Sequence, residues 1–146
     1  MKPWLLVLII LPFLTLLLYY RSHPLVSKVK IRDTVIVTEV AVTEAQKQKG
    51  LGGRKILGNS SGMLFPYDHK EHYNFWMRGM LFPLDFIWID GNRIADITLN
   101  VPPPVGDQQP AMIKPKVPVD KVLEVNAGFV REHQITIGDM VQFMDK

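Results

Sequence analysis

Leu84-Asp85-Phe86-Ile87-Trp88-Ile89-Asp90-Gly91-Asn92-Arg93-Ile94-Ala95-Asp96-Ile97-Thr98-Leu99-Asn100 is the stretch that decides the fold. Its β-branched and aromatic residues suit a pleated, half-buried surface. Asp90-Gly91-Asn92 interrupts them with residues that accept tight-turn backbone angles, so residues 84–90 and 93–100 are expected to form a β-hairpin. Asp85 shares strand parity with Ile87 and Ile89, which puts a carboxylate on the core face. There it survives only if paired or hydrogen-bonded.

The same reading extends outward in both directions. Residues 34–42 are rich in Val, Ile and Thr and form an expected first strand. Thr43-Glu44-Ala45-Gln46 has capping-box spacing, which starts a short helix that Gly50 ends, and Gly52-Gly53 prolong the turn. Further strands are expected at 62–66, 73–78, 121–126 and 140–144. Residues 101–118 hold six of the eleven prolines and read as a long surface loop. Many short strands with regular turns imply a mainly β domain, a single β-sandwich or partly open barrel with one or two short helices.

The first part of the chain differs in kind. Residues 4–20 carry no charge, and twelve of them are Leu, Ile, Val or Phe. At roughly −0.3 to −0.6 kcal/mol each on an insertion scale, these favour membrane entry by about 4 to 7 kcal/mol. As a helix the segment is about 26 Å long, slightly short for a hydrocarbon core, with Trp4, Tyr19 and Tyr20 where interfacial aromatics belong. A cleaved signal peptide has a shorter apolar region and small residues at the cut. Here the run ends in Tyr19-Tyr20-Arg21-Ser22-His23-Pro24, so an uncleaved transmembrane anchor is the expectation. Residues 22–33, polar, basic and broken by Pro24, are expected to be a linker to a domain spanning 34–146.

In 146 residues there are 17 basic and 14 acidic side chains, a formal charge of +3 that is not gathered into an arm or stripe. Nucleic acid is therefore not an expected partner. The chain has no cysteine, which excludes disulfides, thiolate metal sites and cysteine nucleophiles. There is no phosphate loop or nucleophile elbow, and no cofactor is expected.

Six short strings carry a family resemblance: Gly50-Leu51; Gly62-Met63-Leu64-Phe65; Phe75-Trp76-Met77-Arg78; Pro83-Leu84-Asp85; Leu123-Glu124-Val125 with Gly128; and Gly138-Asp139. In this order the sequence resembles the domain-of-unknown-function 192 family. The resemblance implies a β-sandwich with short helices, often exported or lipid-anchored in bacteria and archaea, with no agreed activity. It also weighs for an extracytoplasmic domain, against the count of four basic residues just after the span. The chain departs from the family pattern twice. Gly79-Met80 follow Arg78 where Asn-Thr is usual, and Gly52 replaces a Met.

Trp76, Arg78 and Asp85 are the candidate binding residues, a guanidinium and a carboxylate on adjacent strands beside aromatic rings. The competing reading of Asp85 is a buried pair or a turn cap. His69, His72 and Asp85 are the candidates for an alternative hydrolase or metal-assisted activity, with 101–118 as lid. Asp68 to His72 reads equally as a solvated loop, the aromatic and Met set as core, and Glu124 as an outward strand position. The expectation is an envelope-anchored module that binds a small ligand or an envelope protein, with the membrane itself as partner through 4–20.

Overall fold

The computed structural model describes residues 25–144. The apolar segment 4–20 lies outside them; among the described residues no helix is long and apolar enough to cross a membrane.

Among the described residues, nine strands and two short helices follow in chain order. They are β1 (Leu25–Ile31), β2 (Thr34–Val40), α1 (Glu44–Lys49), β3 (Ser61–Glu71), β4 (Phe75–Trp76), β5 (Leu84–Asp90) and β6 (Arg93–Val101), then β7 (Met112–Ile113), β8 (Val119–Asn126), α2 (Phe129–Glu132) and β9 (Val141–Met144). Seven strands form one sheet in the order β6-β5-β8-β3-β2-β1-β9, and β4 pairs with β7 as a separate ribbon. The β5–β6 hairpin closes at Asp90 opposite Arg93, as its turn residues require.

The large sheet curls into a half barrel whose two edge strands meet at one end. Arg93 at the start of β6 bridges Met140, and the Ile94 and Gly138 amides donate across the gap at 3.0 and 2.8 Å. Asp139 holds this corner, accepting from the Thr136 amide at 2.8 Å. Every strand of the sheet sends at least one side chain into the enclosed cluster, among them Val29, Ile36, Leu64, Ile87, Ile94, Leu123 and Val141, which α2 caps with Phe129 and Val130.

One expectation is corrected here. Residues 25–31 are not linker but strand β1, paired to β2 and β9. Val29 and Ile31 point into the core while Lys28 and Lys30 face outward, so the basic residues belong to a period-two pattern and not to a solvated tether. The chain also mixes strand directions. β2 and β3 run parallel, joined by a crossover carrying α1, because a parallel pair cannot be closed by a hairpin. This crossover lays α1 over the outer face of the sheet.

That outer face is covered, which gives the domain a second core. β5 is buried on both sides: Ile87 and Ile89 face the enclosed cluster, while Leu84, Phe86 and Trp88 face outward beneath Phe75, Met77 and Met80. Phe75 meets Phe65, Phe86 and Trp88 edge-on at 5.0, 5.9 and 5.6 Å. Residues 73–78 contribute only the two-residue strand β4, held over the sheet by β7 from within the proline-rich segment. Prolines deny that segment ladder donors, yet Met112 and Ile113 still pair with β4; the rest of 101–118 is largely exposed and irregular, as a surface loop is.

Gly62 fixes the approach of β3 to β8. A Cβ there would stand 2.7 Å from the Glu124 carbonyl oxygen and 3.1 Å from Leu123 Cδ1. Backbone cannot yield as a side chain can. Gly62→Ala is expected to cost about 1 to 3 kcal/mol, read as a lower urea midpoint. An unchanged midpoint would mean that the two strands are not in this register.

Candidate functional site

The outer layer does not close completely. Between α1, the far end of β3 and the β4 region it leaves a pocket of about 420 Å³, within the range of small-ligand clefts. Its rim carries Lys47, Tyr67, Asp68, Tyr73, Trp76 and Arg78, and its floor is Glu124.

Glu124 reaches the floor through strand alternation. On β8, Leu123 and Val125 enter the enclosed core, so Val122 and Glu124 must point to the outer face, where Glu124 lies between Met63 of β3 and Phe86 of β5. The outward assignment of Glu124 is thus right in parity and wrong in consequence, because this outward face is roofed. The residue is 5% exposed, and its Oε2 has no hydrogen-bond partner among the described residues. Burial pushes the carboxyl pKa up to about 8, so it is mostly a neutral acid at pH 7. A buried polar atom without a partner costs stability, and it commonly marks a place where a ligand or water completes the bonding.

Gly50 borders the same floor. It ends α1 with φ +49°, and a Cβ built on it would stand 3.8 Å from Glu124 Oε2. The capping box Thr43–Gln46 forms as its spacing requires, with the Gln46 amide donating to Thr43 Oγ1 at 3.2 Å. α1 thereby fixes Lys47, whose Nζ sits 4.3 Å from the Tyr67 ring centre and 3.3 Å from Glu44. Tyr67 stacks on Tyr73 at 3.6 Å. Burial, followed by the charges around it, raises the Tyr67 phenol above its ordinary value, keeping it a neutral donor. Across the mouth, the Arg78 guanidinium lies 4.7 Å from the Trp76 ring centre.

The candidates from sequence divide. Trp76 and Arg78 stand together on the pocket rim. Asp85 does not join them: it is 0% exposed on the enclosed side, its Oδ1 accepting from the Asn100 amide at 2.8 Å and its Oδ2 from the Val130 amide at 3.1 Å. The expected Arg78–Asp85 pair is therefore absent, because the two side chains leave opposite faces of the layered structure. The reading of Asp85 as a buried cap fits. His69 and His72 also part from Asp85. His69 Nε2 is 3.3 Å from Glu71, and His72 Nδ1 is 3.0 Å from the Pro115 carbonyl oxygen. Among the described residues no group of three or more His, Asp or Glu could hold a metal ion. Asp68 to Glu71 extend β3 as an exposed strand end, and no residue of 101–118 lines the pocket, so that segment is not its lid.

Residues 27–143 match the sequence model of the DUF192 family, described as "Uncharacterized ACR". The chain belongs to the domain-of-unknown-function 192 family. No protein of curated function matches it significantly. Two crystal structures are similar across 82% of the chain. One is a Sinorhizobium meliloti 1021 protein described as a "putative transcription regulator", with TM-score 0.75, 28% identity and 95% of that chain covered. The other is a protein of unknown function from Novosphingobium aromaticivorans DSM 12444, with TM-score 0.70, 30% identity and 84% covered. Three of the six strings that carry the family resemblance supply pocket residues: Gly50-Leu51, Phe75-Trp76 with Arg78, and Glu124.

The two departures from the family pattern touch each other. The Gly53 amide donates to the Gly79 carbonyl oxygen at 2.8 Å, and a Cβ on Gly52 would lie 2.9 Å from the Lys49 carbonyl oxygen and 3.3 Å from that of Arg78. Gly52 and Gly79 together let the turn after α1 press against the turn that carries Arg78. A larger residue at 52 would push that turn, and Arg78 with it, away from α1.

Proposed function

We propose that this family member is a non-enzymatic ligand-binding module, tethered to the membrane by residues 4–20 with its domain outside the cytoplasm. The observation that carries the binding half is the Glu124 Oε2, without a partner among the described residues, on the floor of an aromatic and cationic pocket. A ligand that bonds to this oxygen removes a buried, unsatisfied group, so binding gains from a cost the empty fold already bears. The tether is supported by twelve strongly apolar residues in seventeen, and the side of the membrane by the family resemblance.

Thermal melting of the full-length chain in detergent, against a panel of sugars, sugar acids, amino acids, amides and dicarboxylates, tests the binding half. At least one class should raise the Tm, and Trp76→Ala should weaken that ligand by about tenfold or more, equivalent to about 1.4 kcal/mol. Trp76 is 38% exposed, so the unliganded melting point of the variant should stay within about 2 °C. A panel that never moves the Tm would count against a binding module. Protease added to spheroplasts, whose cytoplasmic membrane alone is intact, tests the side of the membrane: digestion of the domain only after lysis would refute the extracytoplasmic placement.

A further inference from the structure

We propose that the pocket takes a small hydroxylated carboxylate of the sugar-acid type, its carboxylate at Arg78 on the rim and a hydroxyl at the Glu124 carboxyl on the floor. The proposal rests on the reading of this pocket as the binding site and names its ligand class.

The floor selects for a group that can both donate and accept. A protonated carboxyl offers one O–H and one free acceptor, and a hydroxyl answers either. An apolar ligand would exclude water from Oε2 and leave it without any hydrogen-bond partner. The burial that holds Glu124 neutral at pH 7 also removes the anionic charge that would otherwise draw a cation to the floor.

The rim selects for negative charge. Glu44 and Lys47 neutralise one another at 3.3 Å, which leaves Lys49 and Arg78 against Asp68. An amine would have to pass two cations. It would also find little cation–π attraction, because Lys47 and Tyr73 already cover the Tyr67 ring and Arg78 lies over one face of Trp76. Arg78, stacked but in no ion pair among the described residues, keeps its planar donor fork for a carboxylate. The part-exposed rings of Trp76 and Tyr73 offer flat walls to a ring whose faces are C–H and whose edges are hydroxyl.

Calorimetric titration of the full-length chain tests this, in a sugar-free zwitterionic detergent at pH 7. The probes are D-glucuronate, D-galacturonate and D-glucose, with Arg78→Gln and Glu124→Leu as variants. At least one of the sugar acids should bind at least tenfold more tightly than glucose. Arg78→Gln should bring it down to the glucose level, and Glu124→Leu should abolish both. Equal affinity for glucose, or an Arg78→Gln variant that binds sugar acid normally, overturns the ligand class while leaving the pocket as the site. Another compound class that depends on Glu124 where the sugar acids fail does the same. Sugar-acid binding that survives Glu124→Leu overturns both, since the ligand would then sit elsewhere.

Discussion

Replacing Glu124 with glutamine is expected to remove a pH-dependent destabilisation that the native chain carries above pH 5. The carboxyl pKa is about 8 in the folded state against an ordinary value of 4.5. Below pH 4.5 both states hold the proton and the group imposes no pH-linked cost. As pH rises from 4.5 to 8 the unfolded chain ionises while the folded chain cannot, so stability falls, and above pH 8 it levels off. At about 1.4 kcal/mol per pH unit, the loss is on the order of 5 kcal/mol. Glutamine fills the same space without titrating. The gap between variant and native urea midpoints should therefore widen from pH 5 to pH 9 in favour of the variant, while ligand response falls. Parallel midpoint curves would show that Glu124 is not buried as a neutral acid.

Two other carboxylates act in a separate window. The Arg54 guanidinium, hydrogen-bonded to Glu39 with one contact of 2.7 Å, holds that carboxyl below its usual range, and the Thr136 amide does the same for Asp139. Each contributes stability above its unfolded pKa that is lost as pH falls through the lower folded value. Both effects are confined to acid, below about pH 4.5, and do not overlap the Glu124 transition.

Asp85→Ala is expected to be the most damaging single truncation in the enclosed core, at about 3 to 5 kcal/mol. It deprives the Asn100 and Val130 amides of their acceptor, and each buried donor left without a partner costs about 1 to 3 kcal/mol. Those two bonds tie β5 to the end of β6 and to the first turn of α2, so their loss also loosens the cap over the enclosed cluster. Asp85→Asn keeps one acceptor oxygen and should fall between. Arg78→Ala, on the pocket rim, should shift stability by no more than about 0.5 kcal/mol. Equilibrium urea unfolding of the three variants checks the order. An Asp85→Ala midpoint equal to the native one would restore Asp85 as a functional rather than structural residue. A loss of ligand in an Asp85 variant is thus expected to follow from unfolding and not from a missing contact.

Several local features were legible in the chain because they are set by neighbours in sequence. The turn Asp90-Gly91-Asn92 fixed the β5–β6 hairpin, and the spacing Thr43 to Gln46 fixed the start of α1. The parity of Asp85 with Ile87 and Ile89 fixed the face it enters. Trp76 and Arg78 are candidates in the sequence through an expected pairing of Arg78 with Asp85 beside aromatic rings, and they reach the pocket rim without that pair.

Partner choice was not legible. Lys28 and Lys30 hid the alternation that makes 25–31 a strand, since only the pairing of β1 with β2 and β9 shows where Val29 and Ile31 go. The isolation of Asp85 from Arg78 follows from the burial of β5 on both faces, a property of the layers and not of the strand. Glu124 is the plainest case. Alternation along β8 turns it away from the enclosed core, but whether that face meets water depends on residues some 50 to 80 positions earlier, from α1, β3 and β4, which roof it. Sequence by itself determined a mainly β family domain behind an apolar leading segment, because periodicity, turn residues and hydropathy are short-range. Only tertiary structure decided that a carboxyl on the outer face of a strand is buried, held neutral and without a partner for one oxygen among the described residues, because burial is set by what long-range packing lays over it.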